Sequence, residues 1–178
     1  MRTLVIIVHP HLNDGSRANK QLKDGLIHAG HVTIHDLYEA YPNGLFDVEQ
    51  EQSLLLKHDR IIIQFPFWWY SSPYLLKKWI DEVLTFGWAF GPGGNKLHDK
   101  ELGLAITTGS TEESYGSSGY NLFTMNEMTR PYEVTCSLIG MKFLPLFTVH
   151  NAGNLLDKEL EQAVEKYMNY VTAMYATT

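Results

Sequence analysis

Three short stretches of the chain are apolar at nearly every position: TLVIIV at residues 3–8, RIIIQF at 60–65 and ELGLAIT at 101–107. A strand with one face in water alternates apolar and polar residues; a run without alternation is covered on both faces. These runs have strand length, and helical spacing follows them. Parallel strands need long crossovers, and helices supply them. This pattern dictates a parallel sheet sandwiched between helices.

The remaining elements fit that frame. Ser16 caps a helix running to about Ala29, where Gly30 stops it, with Ala18, Leu22, Leu26 and Ala29 on one face. Residues 31–37 alternate as a second strand, 41–46 form a loop, and a helix starts at Asp47 or Val48 and reaches about His58. After the strand at 60–65, residues 66–72 form a loop, and Pro73 opens a helix to about Leu84. GPGGN makes 87–100 irregular. Beyond the strand at 101–107 come a Gly/Ser/Thr loop at 108–119 and a helix over 123–139 interrupted near Pro131. A fifth strand spans 142–149, with Pro145 marking a bulge or an edge, and a final helix spans 157–175, capped at Asp157. Five strand–helix units in one domain of 178 residues give an α/β, flavodoxin-like, doubly wound five-stranded parallel sheet of order 2-1-3-4-5, with helices on both faces.

Composition excludes several classes. A net charge of −6 and the absence of a Lys/Arg-rich run argue against nucleic acid as a partner. One cysteine, Cys136, rules out an intrachain disulfide and fits a reducing cytosol. It lies in an apolar helical stretch and reads as a small buried residue. His28, His31, His35, His58 and His98 lack metal-ligand spacing, so no metal is expected. The apolar run at the N-terminus is too short for a signal sequence or a membrane span.

In a doubly wound sheet, ligands bind beyond the carboxyl ends of the strands, near the switch point between strands one and three. Three loops meet there: HPHLNDGS at 9–16, PFWWYSS at 66–72 and the loop opening with TTGS at 107–110. The first carries neither G-x-G-x-x-G nor a Walker pattern. It runs into a helix N-terminus, where free N–H groups and the dipole favour a phosphate, with Arg17 and His9 able to add charge-assisted bonds. An ordinary capped helix explains the same loop equally well. The second loop stacks aromatics between Pro66 and Pro73. The third offers N–H groups and hydroxyls suited to the edge of a flat heterocycle. His150, after the fifth strand, could line the site, although a histidine there is more often structural.

HPHLNDGSRANK, QFPFWWYSSPYLLKKWID, GWAFGPGGNKLHDKELGLAITTGS and Tyr115 followed by Gly119 resemble, in order, the NAD(P)H:quinone oxidoreductase (DT-diaphorase-like) family of flavoproteins. The likeness covers nearly the whole chain and is strongest to small bacterial members, including the ancillary quinone reductase of glutathione-gated potassium efflux systems. It implies a bound flavin. His9 and Ser16, Arg17, Ala18 and Asn19 match the phosphate and ribityl segment. Phe67, Trp68, Trp69 and Tyr70 match the loop along the isoalloxazine; Trp69 and Tyr70 are expected in the flavin shell, and Trp68 in the acceptor pocket or a dimer contact. Thr107, Thr108, Gly109 and Ser110 match the loop at the pyrimidine end. Tyr115 falls on the tyrosine of the hydride and quinone pocket. The short chain favours FMN, with FAD the alternative, and NADH or NADPH as co-substrate.

The resemblance also implies a ping-pong hydride reduction of quinones, with Tyr115 or water supplying the proton. It implies a cytoplasmic homodimer with the site at the interface, where Trp88, Phe90 and Tyr120 could face the neighbour. Departures are visible: Asn121 stands where larger animal members carry a histidine, Trp68 replaces a polar residue, and Ser110 replaces a second glycine. An amide cannot shuttle a proton as imidazole does. A second reading is a regulatory subunit of a membrane potassium efflux transporter, peripheral to the inner membrane through that partner. A one-electron carrier is disfavoured by the absence of T-x-T-G-x-T from the first loop.

Overall fold

The computed structural model describes residues 1–173. The buried runs are strands: β1 (Thr3–Ile7), β3 (Arg60–Pro66) and β4 (Glu101–Thr107) are buried at every position. With β2 (Val32–Asp36) and β5 (Lys142–Phe143) they form a sheet of order β2-β1-β3-β4-β5, all parallel, as the strand–helix alternation requires. The carboxyl ends of β1, β3 and β4 therefore lie side by side.

The fifth strand is broken at Pro145. Its second half, β6 (Phe147–Val149), also pairs with β4. Lys142 faces Glu101 and Phe143 faces Leu102, but Phe147 faces Ala105. The strand thus carries one residue more than its partner across the break, a bulge at a residue with no N–H to give the ladder.

Seven α-helices are described. These are α1 (Arg17–Gly25), α2 (Leu37–Ala40), α3 (Val48–Leu56), α4 (Tyr74–Val83), α5 (Met125–Met128), α6 (Arg130–Leu138) and α7 (Asp157–Thr172). Helix α1 stops four residues short of the expected Ala29. A Cβ at Gly25 would lie 2.5 Å from the Val164 side chain, so the glycine permits close contact with α7, at a cost in helix stability. Helix α2 was not expected; the Asp36 carboxylate accepts from the N–H groups of Tyr38 and Glu39, ending β2 and capping a helix at once. The helix expected over 123–139 is two helices broken at Thr129, with Pro131 in the first turn of the second. Asp157 is the first residue of α7 rather than its cap: the Glu159 carboxylate accepts from Leu156 N–H, and Asp157 turns to Arg17. Residues 174–175, expected in this helix, lie outside the described residues.

Two apolar clusters flank the sheet. Leu4, Ile6, Ile61, Ile63, Leu104 and Ile106 pack on one face, and Val5, Ile7 and Ile62 on the other with Leu22 and Tyr167. Within the first layer lies a buried carboxylate. Glu51 accepts from Tyr41 O–H at 2.8 Å and Trp79 Nε1–H at 2.7 Å, and lies 2.8 Å from His35 Nε2. Burial alone would raise its pKa; these bonds outweigh burial and hold it below the usual carboxylate range.

Candidate flavin site

Two adjoining clefts open at the carboxyl end of the sheet. One, of about 420 Å³, lies between the N-terminus of α1 and the ends of β3 and β4, and is lined by His9, Ser16, Arg17, Ala18, Asn19, Thr107 and Thr108. The other, of about 490 Å³, is lined by Trp69, Tyr70, Ser110, Tyr115, Tyr120 and Asn121. Phe67, Trp68 and Gly109 line both. The fourteen residues that the resemblance matches to flavin and quinone contacts thus line two adjoining clefts that share three residues, each of the size range usual for small-molecule sites.

The first cleft is polar and tightly tied. Ser16 caps α1 by accepting from Asn19 N–H at 3.3 Å. The N–H groups of Arg17 and Ala18 open the helix, where no intrahelical acceptor exists. Both residues line the cleft, so these N–H groups are candidate anion donors. Asn19, almost fully buried, bonds Ser16 Oγ at 3.0 Å and Thr107 Oγ1 at 2.9 Å, joining the helix start to the end of β4.

His9 and Arg17, the two side chains expected to bring charge to an anion here, are each held by other partners. His9 is 5% exposed, and its pKa is pushed down to about 4, first by burial and then by nearby His11, against the pull of Asp14. It is neutral at pH 7. Its Nδ1 accepts from His11 N–H at 3.1 Å, so the proton sits on Nε2. The Arg17 guanidinium donates to Leu155 O at 2.7 Å and to the Asp157 carboxylate. The donors left to an anion are main-chain N–H groups, a hydroxyl and a neutral imidazole, with Arg17 as flanking charge.

The aromatic cleft is built on a two-residue hairpin. Trp68 and Ser71 exchange both main-chain bonds at 3.0 Å, and Trp69 and Tyr70 between them have φ of 49° and 61°. Two successive left-handed residues are the signature of a type I′ turn, usually made by Asn-Gly. Side chains with a Cβ pay roughly 1–2 kcal/mol each in this region. Trp69 is nevertheless 94% exposed and Tyr70 58% exposed. Trp68 lies edge-on to His9, ring centroids 5.6 Å apart, and so bridges the two clefts.

The main-chain donors are fewer than expected. Phe67 N–H bonds Thr107 O, Trp68 N–H bonds Ser71 O, and Thr108 N–H bonds Val149 O. Of residues 67–70 and 107–110, this leaves Trp69, Tyr70, Gly109 and Ser110 with main-chain N–H groups for a ligand. Nothing lies within 4 Å of where a Cβ on Gly109 would sit, so the loop there is open to a ring edge.

Tyr115 lies under the aromatic cleft against a residue that sequence reasoning discounted. Its ring is 5.3 Å from the His150 ring, and His150 Nδ1 lies 3.1 Å from Thr108 Oγ1. Burial lowers the His150 pKa, opposed by Glu112 and Glu113. The signal was its place at the carboxyl end of a strand beside β4. Tyr120 bonds Ser110 Oγ and is exposed, and this hydrogen bond lowers its pKa. Trp88 and Phe90 are half-buried against the core, and the most exposed aromatic of that segment is Phe86.

The donor set suits a phosphorylated flavin: an anion at a helix start, a flat ring between aromatic residues and an open loop with two N–H groups. The chain belongs to the Flavodoxin_2 family, of flavodoxin-like fold, which it matches over residues 1–171. It is 49% identical over 172 residues to the uncharacterised NAD(P)H oxidoreductase YdeQ of Bacillus subtilis (97% of this chain, 87% of that protein). It is 43% identical over 170 residues to the glutathione-regulated potassium-efflux system ancillary protein KefG of Erwinia tasmaniensis (96% and 92%). Among solved structures, an NADPH-quinone reductase from P. pentosaceus superposes with a TM-score of 0.91 at 36% identity (98% of this chain, 100% of that one). General stress protein 14 of Treponema denticola, in complex with FMN, superposes with a TM-score of 0.91 at 35% identity (97% and 99%).

Proposed function

We propose that the protein is an FMN-dependent NAD(P)H:quinone oxidoreductase that reduces quinones or similar flat electrophiles by two electrons. The observation that carries this reading is the junction of a polar, anion-ready cleft with an aromatic one through Phe67, Trp68 and Gly109. FMN is favoured over FAD because α1 offers a single cradle for a terminal phosphate, and an FMN-bound relative shares the fold at 35% identity.

Each segment then has a task. The Arg17 and Ala18 N–H groups, the Ser16 hydroxyl and neutral His9 hold the phosphate and ribityl chain. Flavin, when bound, supplies hydride acceptance from NADH or NADPH and hydride donation to the acceptor. The Gly109 and Ser110 N–H groups favour negative charge on a ring edge beside them; one such donor contributes about 3 kcal/mol. The Tyr115 hydroxyl gives a proton to the reduced acceptor's oxygen, and its contact with His150 limits the ring's freedom. One aromatic cleft serves donor and acceptor in turn, which makes the kinetics ping-pong. The exposed Trp69, Tyr70, Phe86 and Tyr120 would be covered by a second copy, completing the cleft in a homodimer.

Purification with FMN, an absorbance spectrum and NADH- or NADPH-dependent menadione reduction test this reading. A protein that takes up neither FMN nor FAD overturns it. Tyr115→Phe should slow quinone turnover at unchanged flavin content; an unchanged rate removes Tyr115 from the mechanism. The KefG relative supports a second reading, an ancillary subunit of a potassium efflux system. Co-purification with such a transporter would favour it.

A further inference from the structure

Helix α7 contributes no residue to either of the two clefts, yet it is wired to the first. Tyr167 O–H donates to Gln64 Oε1 at 2.9 Å. The Gln64 amide donates to Asn19 at its main-chain O, 3.0 Å away, and at its Oδ1, 3.2 Å away. Asn19 Nδ2 then donates to Ser16 Oγ at 3.0 Å and to Thr107 Oγ1 at 2.9 Å. Tyr167 and Gln64 are fully buried. A buried amide between Ile61, Ile62 and Ile63 on one side and Phe65 on the other is costly unless bonded.

The relay has a direction. Each amide receives at its oxygen and gives at its nitrogen, so Tyr167 fixes which way Gln64 points, and Gln64 fixes Asn19. At the end of the chain, Ser16 Oγ accepts from both Asn19 Nδ2 and Asn19 N–H. Its two lone pairs are used, and its own proton is left to donate into the cleft. Burial keeps the Tyr167 phenol protonated, so the relay keeps its polarity across the working pH range. We infer that Gln64 and Tyr167 are positioning residues: they orient Asn19 so that the Ser16 hydroxyl donates to the anionic group of the bound ligand. This rests on the reading of the first cleft as a flavin mononucleotide phosphate site.

The relay predicts a selective loss. Tyr167→Phe and Gln64→Leu should each raise the Kd for FMN about tenfold and that for riboflavin, which lacks the phosphate, less than twofold. Flavin fluorescence quenching reads both. Val164→Ala, which loosens α7 against α1 without touching the relay, should lower the melting temperature while keeping the FMN-to-riboflavin ratio. Equal shifts for the two ligands, or none, in the folded Tyr167 and Gln64 variants would overturn the inference. If the wild-type chain binds neither ligand, the functional reading falls. Deuterium exchange at residues 16–20 then decides the relay: faster exchange in Tyr167→Phe than in Val164→Ala supports it, and equal exchange refutes it.

Discussion

The two walls of the candidate site are built in opposite ways. At the start of α1, Ser16, Asn19, Gln64 and Thr107 are joined by hydrogen bonds through the core. At the tip of the loop after β3, Trp69 and Tyr70 sit in left-handed backbone with their rings largely in solvent. One wall is pre-organised by satisfied buried polar groups; the other stores backbone strain next to an exposed apolar surface. The difference suits a tightly held cofactor on one side and exchanging substrates on the other.

The contrast breaks most severely at Asn19. Asn19→Ala leaves Gln64 Nε2 and both hydroxyls short of a partner in the core, and one unsatisfied buried group costs about 1–3 kcal/mol. The variant should lose on the order of 3 kcal/mol by denaturant unfolding and bind FMN at least thirtyfold more weakly. Wild-type affinity in this variant would remove the polar wall from cofactor binding.

Acid should act on the same wall. The folded-state pKa of His9, about 4, lies below its usual 6.5, so the unfolded chain takes up the proton first as pH falls. Above pH 6.5 the group has no effect; stability is lost as pH falls from 6.5 to 4, with a limit on the order of 3 kcal/mol. Thermal melts between pH 7.5 and 4.5 should show this decline, and His9→Asn should flatten it. A slope unchanged in His9→Asn assigns the decline to other groups.

The strained wall should respond with the opposite sign. Replacing Trp69 and Tyr70 with Asn and Gly gives the type I′ turn its preferred residues. The double variant should gain about 1 kcal/mol of stability, the relief of strain being partly offset by the entropy of the glycine. Its FMN content should hold, while the KM for menadione rises several-fold. A gain in stability with unchanged kinetics would mark the hairpin as a contact surface only.

These walls were unequally legible in the sequence. The three loops could be placed because unbroken apolar runs fix parallel strands, and parallel strands fix which loops meet. Pro145 announced its bulge for the same local reason, the missing N–H. The relay was invisible: Gln64 and Tyr167 are 103 positions apart, and Asn19 and Thr107 are 88 apart. Glu51 in VEQEQS reads as a solvent-facing helical residue; only the packed fold brings His35, Tyr41 and Trp79 to it. The hairpin was hidden because positive φ is read from Gly and Asn, and Trp-Tyr signals the reverse. The neutrality of His9 follows from burial, which residue type does not report.

The smallest effect tests where Arg17 belongs. Its guanidinium ties α1 to α7 through Asp157 and Leu155 O, although the residue lines the polar cleft. Asp157 is highly exposed, so the pair contributes at most about 1 kcal/mol, and Asp157→Asn should barely move the melting temperature. It also removes a negative charge that competes with a phosphate for the same guanidinium. If Arg17 lends its charge to the cradle, Asp157→Asn should tighten FMN two- to threefold, and Arg17→Met should weaken it by a similar factor. Weaker FMN binding in Asp157→Asn would make the tie itself the contribution of Arg17, and the polar wall would then hold its anion by neutral donors alone.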